Sequence, residues 1–124
     1  MAAVPAATFI SSTAITMNAA AGEADVIRAE ISPLPGSSNE YRVTATIEHA
    51  DEGWDHYADA FDVVAPNGDV LGTRVLHHPH VTEQPFTRSL SRVAIPFGIN
   101  EVTIRAHDSV HGHGGQTITL SVPR

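Results

Sequence analysis

The stretch Tyr41-Arg42-Val43-Thr44-Ala45-Thr46-Ile47-Glu48-His49 decides the fold. Val43, Ala45 and Ile47 fall on one parity, and Arg42, Thr44, Thr46 and Glu48 fall on the other. A period of two means a half-buried strand, apolar on one face and solvated on the other. His49 continues the inward parity, so it is expected as a hydrogen-bonded histidine at the rim of the core.

Working outward, the pattern repeats in short runs. Val26 to Ile31 reads as a preceding strand, closed by the Ser- and Pro-rich Ser32-Pro33-Leu34-Pro35-Gly36-Ser37-Ser38. Phe61 to Ala65 follows, then Pro66-Asn67-Gly68-Asp69. Asn-Gly between apolar runs predicts a tight hairpin, with Val70 to His77 as the returning strand. Phe86 to Ile95 carries Leu90, Val93 and Ile95. Pro96-Phe97-Gly98-Ile99-Asn100 then turns the chain into Val102, Ile104 and Ala106, and Ile118, Leu120 and Val122 mark the last strand. No long helical period interrupts this order. Seven short strands with turn chemistry between them predict an all-β, seven-stranded immunoglobulin/fibronectin III-like Greek-key β-sandwich. A cupredoxin-like Greek key is the main rival.

The length of 124 residues suits one such domain. Residues 1–23 stand apart. Met1 to Gly22 is rich in Ala, Ser and Thr and ends on Ala19-Ala20-Ala21, like the small residues before a signal cleavage site. It lacks the positive charge and strong apolar run of a working signal. It is read as a flexible arm or worn export segment, with residues 24–124 as the sandwich domain. No run approaches the ~20 apolar residues of a membrane span.

Composition narrows the function. The net charge is −7, and all seven basic residues are Arg. A phosphate-binding face needs a concentration of positive charge, so nucleic acid is not an expected partner. The chain has no Cys, which excludes disulfides, thiolate nucleophiles and iron–sulfur clusters. Nor is there a nucleophile elbow or glycine-rich phosphate loop. Binding is therefore favoured over catalysis; a metalloenzyme would further require an open coordination position.

The eight histidines are the informative feature. With the strands labelled A, B, C, C′, E, F and G, all eight fall in the B–C, C′–E and F–G connections, which share one end of a sandwich. In the F–G segment, His107, His111 and His113 sit among glycines that let imidazoles converge. In the C′–E segment, His78 and His80 flank Pro79 and face the same side of an extended backbone. His56 lies in the B–C segment. Imidazole is the commonest metal ligand near neutral pH, so His78, His80, His107, His111, His113 and His56 are the candidate metal ligands. Asp55, Asp59, Asp108, Trp54 and Tyr57 are expected to orient or surround them. The plainer alternative is loops of solvated histidines, with Trp54 and Tyr57 capping the core and Asp55 and Asp59 capping a short helical turn. Nitrogen and oxygen donors without sulfur suit Cu(II), Zn(II) or Ni(II).

The segments Gly53-Trp54-Asp55-His56-Tyr57-Ala58-Asp59, His78-Pro79-His80-Val81, Glu83-Gln84-Pro85-Phe86-Thr87-Arg88-Ser89-Leu90 and His107-Asp108-Ser109-Val110-His111-Gly112 resemble those of small exported bacterial β-sandwich domains. The resemblance runs from about Tyr41 to Val122. It implies a periplasmic or secreted protein and carries no activity or catalytic residues with it. Two functions follow as expectations. One is carriage, buffering or sensing of a divalent transition metal, copper or zinc first. The other is a module that uses the same loops to bind a protein or glycan partner.

Overall fold

The computed structural model describes residues 22–124. Seven strands occur there: β1 (Asp25–Pro33), β2 (Glu40–Glu48), β3 (Ala58–Val64), β4 (Val70–Val75), β5 (Phe86–Ala94), β6 (Glu101–Asp108) and β7 (Ile118–Ser121). They form two antiparallel sheets, ordered β1-β2-β5 and β4-β3-β6-β7. The two layers enclose one core, as in the expected sandwich. The fourth strand joins the β3-β6-β7 sheet rather than the β1-β2-β5 sheet. This differs from the immunoglobulin constant-type partition and is the fibronectin III variety. The expected arm falls largely on residues 1–21, outside the described residues.

The alternation of β2 explains the packing. Tyr41, Val43, Ala45 and Ile47 are all buried, and they meet Phe61, Val63 and Ile104 from the other sheet. Between them, the outward Thr44 and Thr46 make cross-strand hydroxyl bonds of 2.8 Å to Ser89 and Thr87. The Asn67-Gly68 turn closes the β3–β4 hairpin. Gly68 takes the left-handed φ of 97°, and the Ala65 N–H donates to the Asp69 carbonyl at 2.8 Å. On the outer faces Arg88 pairs with Glu83, Arg92 with Glu40 and Arg105 with Asp62, whereas Arg74 donates to the Ser89 carbonyl.

Two features of register position the histidine loops. First, β3 carries a bulge between Ala58 and Ala60, opposite the end of β6. The bulge leaves Ala58 and Phe61 both facing the core and turns Asp59 outward. Second, β6 alternates without a break: Val102, Ile104, Ala106 and Asp108 are all buried. A carboxylate therefore occupies the last inward position of an apolar strand. The three connections do converge at that end. Leu76 N–H donates to Asp59, Ser109 N–H donates to Tyr57, and His80 N–H donates to the Asp51 carboxylate.

Candidate metal centre

His49 and Asp108 are the two inward residues that extend the apolar faces of β2 and β6 beyond the core. His56 enters between them from the B–C connection. His49 Nε2 lies 3.1 Å from Asp108 Oδ2, His56 Nε2 lies 3.1 Å from the same oxygen, and the two Nε2 atoms are 3.3 Å apart. All three side chains are buried. A tetrahedral ion with bonds of 2.0–2.1 Å sets its donors about 3.3–3.4 Å apart. The observed triangle is close to that spacing, and these residues could hold a metal ion.

The far side of each imidazole is also committed. His49 Nδ1 is 2.6 Å from Asp51 Oδ1, and His56 Nδ1 is 3.0 Å from Glu52 Oε1. A proton on Nδ1 bonded to a carboxylate leaves the Nε2 lone pair turned toward the shared centre. This is the orientation that metal-ligating histidines adopt. The Gly22 carbonyl oxygen comes within 2.9 Å of His49 Nε2. Electron-rich atoms thus converge on a buried spot, and only a cation, proton or metal, relieves their repulsion.

The surroundings fix this arrangement. Asp108 Oδ1 accepts the N–H groups of Val110 and His111, which frees Oδ2 for the centre. Gly112, at a φ of 77°, closes the turn with paired backbone bonds to Asp108. Asp51 accepts Ala58 N–H on the oxygen that holds His49 and His80 N–H on the other. Gln84 bridges the B–C and C′–E connections, accepting His49 N–H and donating to the His80 carbonyl.

Electrostatics follow from these contacts. Burial alone would lower the pKa of His49, but the bond and charge of Asp51, the Gly22 carbonyl and Asp108 outweigh it, so the net shift is upward. His56 behaves alike: burial and the charge of His49 oppose protonation, while Asp108 and Glu52 prevail. Burial would raise both Asp51 and Asp108, yet the donors around them hold both below the ordinary carboxylate range, Asp108 far below it.

The sequence-derived candidates fall in three places. His56 belongs to the buried triangle. His111 stands at its rim, with Nδ1 3.1 Å from Asp108 Oδ2 and its ring 4.9 Å from that of His56. His107 and His113 pair on the outer face of the β4-β3-β6-β7 sheet, their rings 4.7 Å apart. His78 and His80 also meet, at 4.9 Å, but His78 is exposed and His80 is buried. The His80 ring stacks on Phe86 at 3.9 Å, and neither of its nitrogens has a hydrogen-bond partner among the described residues. Burial first, then Arg88 and His78, lower its pKa.

Asp59 contacts His107, whereas Asp55 is exposed and makes no hydrogen bond to a histidine among the described residues. Trp54 does not cap the core: it is 67% exposed and packs edge-on against Tyr57. His49 sits hydrogen-bonded at the core rim, as its parity in the sequence implies; it stands outside the candidate ligands expected from the sequence, as do Asp51 and Glu52. The available sign was parity. His49 extends the Val43-Ala45-Ile47 face inward, and a carboxylate follows two residues later.

A 98-residue stretch of the chain is 41% identical to a protein of Halomicrobium mukohataei named "Putative lipoprotein". The match takes in 79% of this chain and 47% of that protein, so the chain spans about half the length of the curated relative it matches. No protein-family model matches the sequence, and no solved structure does. No helix among the described residues is long and apolar enough to cross a membrane.

Proposed function

We propose that this domain is an exported metal-binding protein whose centre is formed by His49, His56 and Asp108. The observation that carries this reading is the orientation of the two imidazoles. Each has Nδ1 held by its own carboxylate, and each turns Nε2 toward Asp108 Oδ2. Three carboxylates, Asp51, Glu52 and Asp108, surround two imidazoles, and a divalent cation offsets most of that negative charge. The spacing and the nitrogen and oxygen donors favour Zn(II), with Cu(II) and Ni(II) as competitors. His111 guards the open side and is a further donor.

The role is carriage, buffering or sensing of the ion. Export is supported by the name of the Halomicrobium mukohataei relative, which calls it a lipoprotein. The deciding experiment is elemental analysis of the purified protein after loading with zinc and dialysis. About one equivalent is expected, lost in His49→Ala and in Asp108→Asn. Retention of zinc by both variants would place the ion elsewhere.

One observation favours a second use of the same end. Trp54 is 67% exposed beside Tyr57, and such aromatic pairs are common anchors for a protein or glycan. A Trp54→Ala, Tyr57→Ala variant that keeps its metal but loses retention on a glycan array would support that use.

A further inference from the structure

Residues 107 and 108 end β6 on opposite faces of the sheet. Asp108 points into the sandwich, and His107 points out onto the face of the β4-β3-β6-β7 sheet. There its Nδ1 lies 2.5 Å from Asp59 Oδ1. The chain then turns at Gly112 and brings His113 back over the same face, with Nε2 3.0 Å from Asp62 Oδ2. The two outer rings lie 4.7 Å apart at 66°, nearly the relation of the buried His49 and His56 rings, 4.7 Å and 71°. Both pairs have a carboxylate behind each imidazole. Asp62 is anchored from two further sides, by Thr73 at 2.7 Å and Arg105 at 3.1 Å, so it is a fixed acceptor rather than a mobile surface group.

We propose that His107 and His113, oriented by Asp59 and Asp62, form a second, surface site for a divalent transition metal. It shares the class of ion with the buried centre but none of its residues. The outer imidazoles are about one-third exposed, against nearly complete burial for His49 and His56. Two imidazoles in water form an open, weakly binding site that exchanges its ion readily. The F–G connection joins the two sites, since it carries His111 to the rim of one and His113 to the other. An ion captured outside is thus held two residues from the side chain that stands at the buried centre.

The test is a titration of metal-free protein with Zn(II) against a chromophoric chelator, read together with ring 15N chemical shifts of the histidines. The intact protein is expected to take two equivalents, one tight and one weak. His107→Ala, His113→Ala is expected to lose the weak equivalent alone. His49→Ala, His56→Ala is expected to lose the tight one, while the His107 and His113 rings still shift on zinc addition. If the outer alanine variant fails to fold, His107→Gln, His113→Gln keeps amide donors toward Asp59 and Asp62 and serves instead. A weak equivalent that survives the outer substitutions, or no zinc response from those two rings, overturns the proposal. A tight equivalent that survives the inner substitutions overturns the buried centre instead, leaving the outer one standing.

Discussion

The carboxylate of Asp51 holds His49 Nδ1 at 2.6 Å with one oxygen while the other takes the backbone N–H of His80 at 2.7 Å. One buried side chain thereby ties two of the three histidine connections together, and its bond to Ala58 N–H fixes the start of β3 as well. Asp51→Ala would strand two buried N–H groups and release His49. A loss of about 3–5 kcal/mol is expected, measured as a fall in the denaturant midpoint. Glu52→Ala, at an exposed carboxylate, is expected to change stability little but to weaken metal binding through His56.

The protonation of the cluster sets a pH dependence. His49 and His56 have pKa values raised above 6.5, so their contribution to stability is complete below 6.5 and is lost as pH rises through the folded values. Asp51 and Asp108 are lowered from 3.8, so theirs is present above 3.8 and is lost as pH falls through the folded values. His80, lowered instead, opposes the other two histidines below 6.5. With two raised histidines against one lowered, the metal-free domain is expected to melt lower at about pH 9 than at about pH 6. Zinc substitutes for the protons, so its protection should grow over the same interval. Calorimetry with and without zinc at the two pH values checks both statements.

Ligand linkage gives the size of that protection. At a hundredfold excess over Kd, zinc adds about 2.7 kcal/mol, which raises the Tm of a domain of this size by about 10 °C. Asp108→Asn removes the anionic donor, and the rise is expected to vanish. An unchanged rise in that variant would mean that zinc stabilises the domain from another place.

His80 buries both ring nitrogens without a partner among the described residues and lies flat on Phe86. The nearest carboxylate oxygen, Asp51 Oδ2, is 3.9 Å from its Nδ1, beyond hydrogen-bond reach, so the ring is held chiefly by its aromatic plane. His80→Phe is expected to stabilise the metal-free domain by about 1–2 kcal/mol, since an unmade hydrogen bond is removed. A destabilised variant would show that the ring needs its nitrogens.

Gly115 lies under the segment that leads into β1. A Cβ built there would come 1.9 Å from the Ala24 carbonyl oxygen, a backbone atom with nowhere to move cheaply. Gly115→Ala is expected to cost about 1–3 kcal/mol. It should also weaken zinc binding by shifting Gly22 away from His49, which the chelator titration would reveal.

Much of this was legible in the sequence. The strict alternation of Tyr41 to His49 and the Asn67-Gly68 turn specify β2 and the β3–β4 hairpin, because side-chain parity and a left-handed turn residue are local properties. The convergence of the three histidine connections followed once the strand order was assumed. The division of the histidines did not. It depends on the bulge between Ala58 and Ala60, which residue type does not encode, whereas the parity of Val102, Ile104 and Ala106 does point Asp108 inward and His107 outward. Asp51 and Glu52 looked like ordinary acidic loop residues until the fold placed them behind two imidazoles.

The pleat of β6 acts as a partition. His107 and Asp108 are chain neighbours, yet one faces water and the other closes the interior. Because side chains alternate strictly, a slip of one residue in the pairing of β6 with β3 would exchange them. The slipped chain would bury an imidazole among apolar groups and turn the carboxylate outward, dismantling both histidine pairs at once. Correct strand pairing and the separation of the buried His49–His56 pair from the outer His107–His113 pair are therefore one event, settled when the last two residues of β6 seat against the bulge.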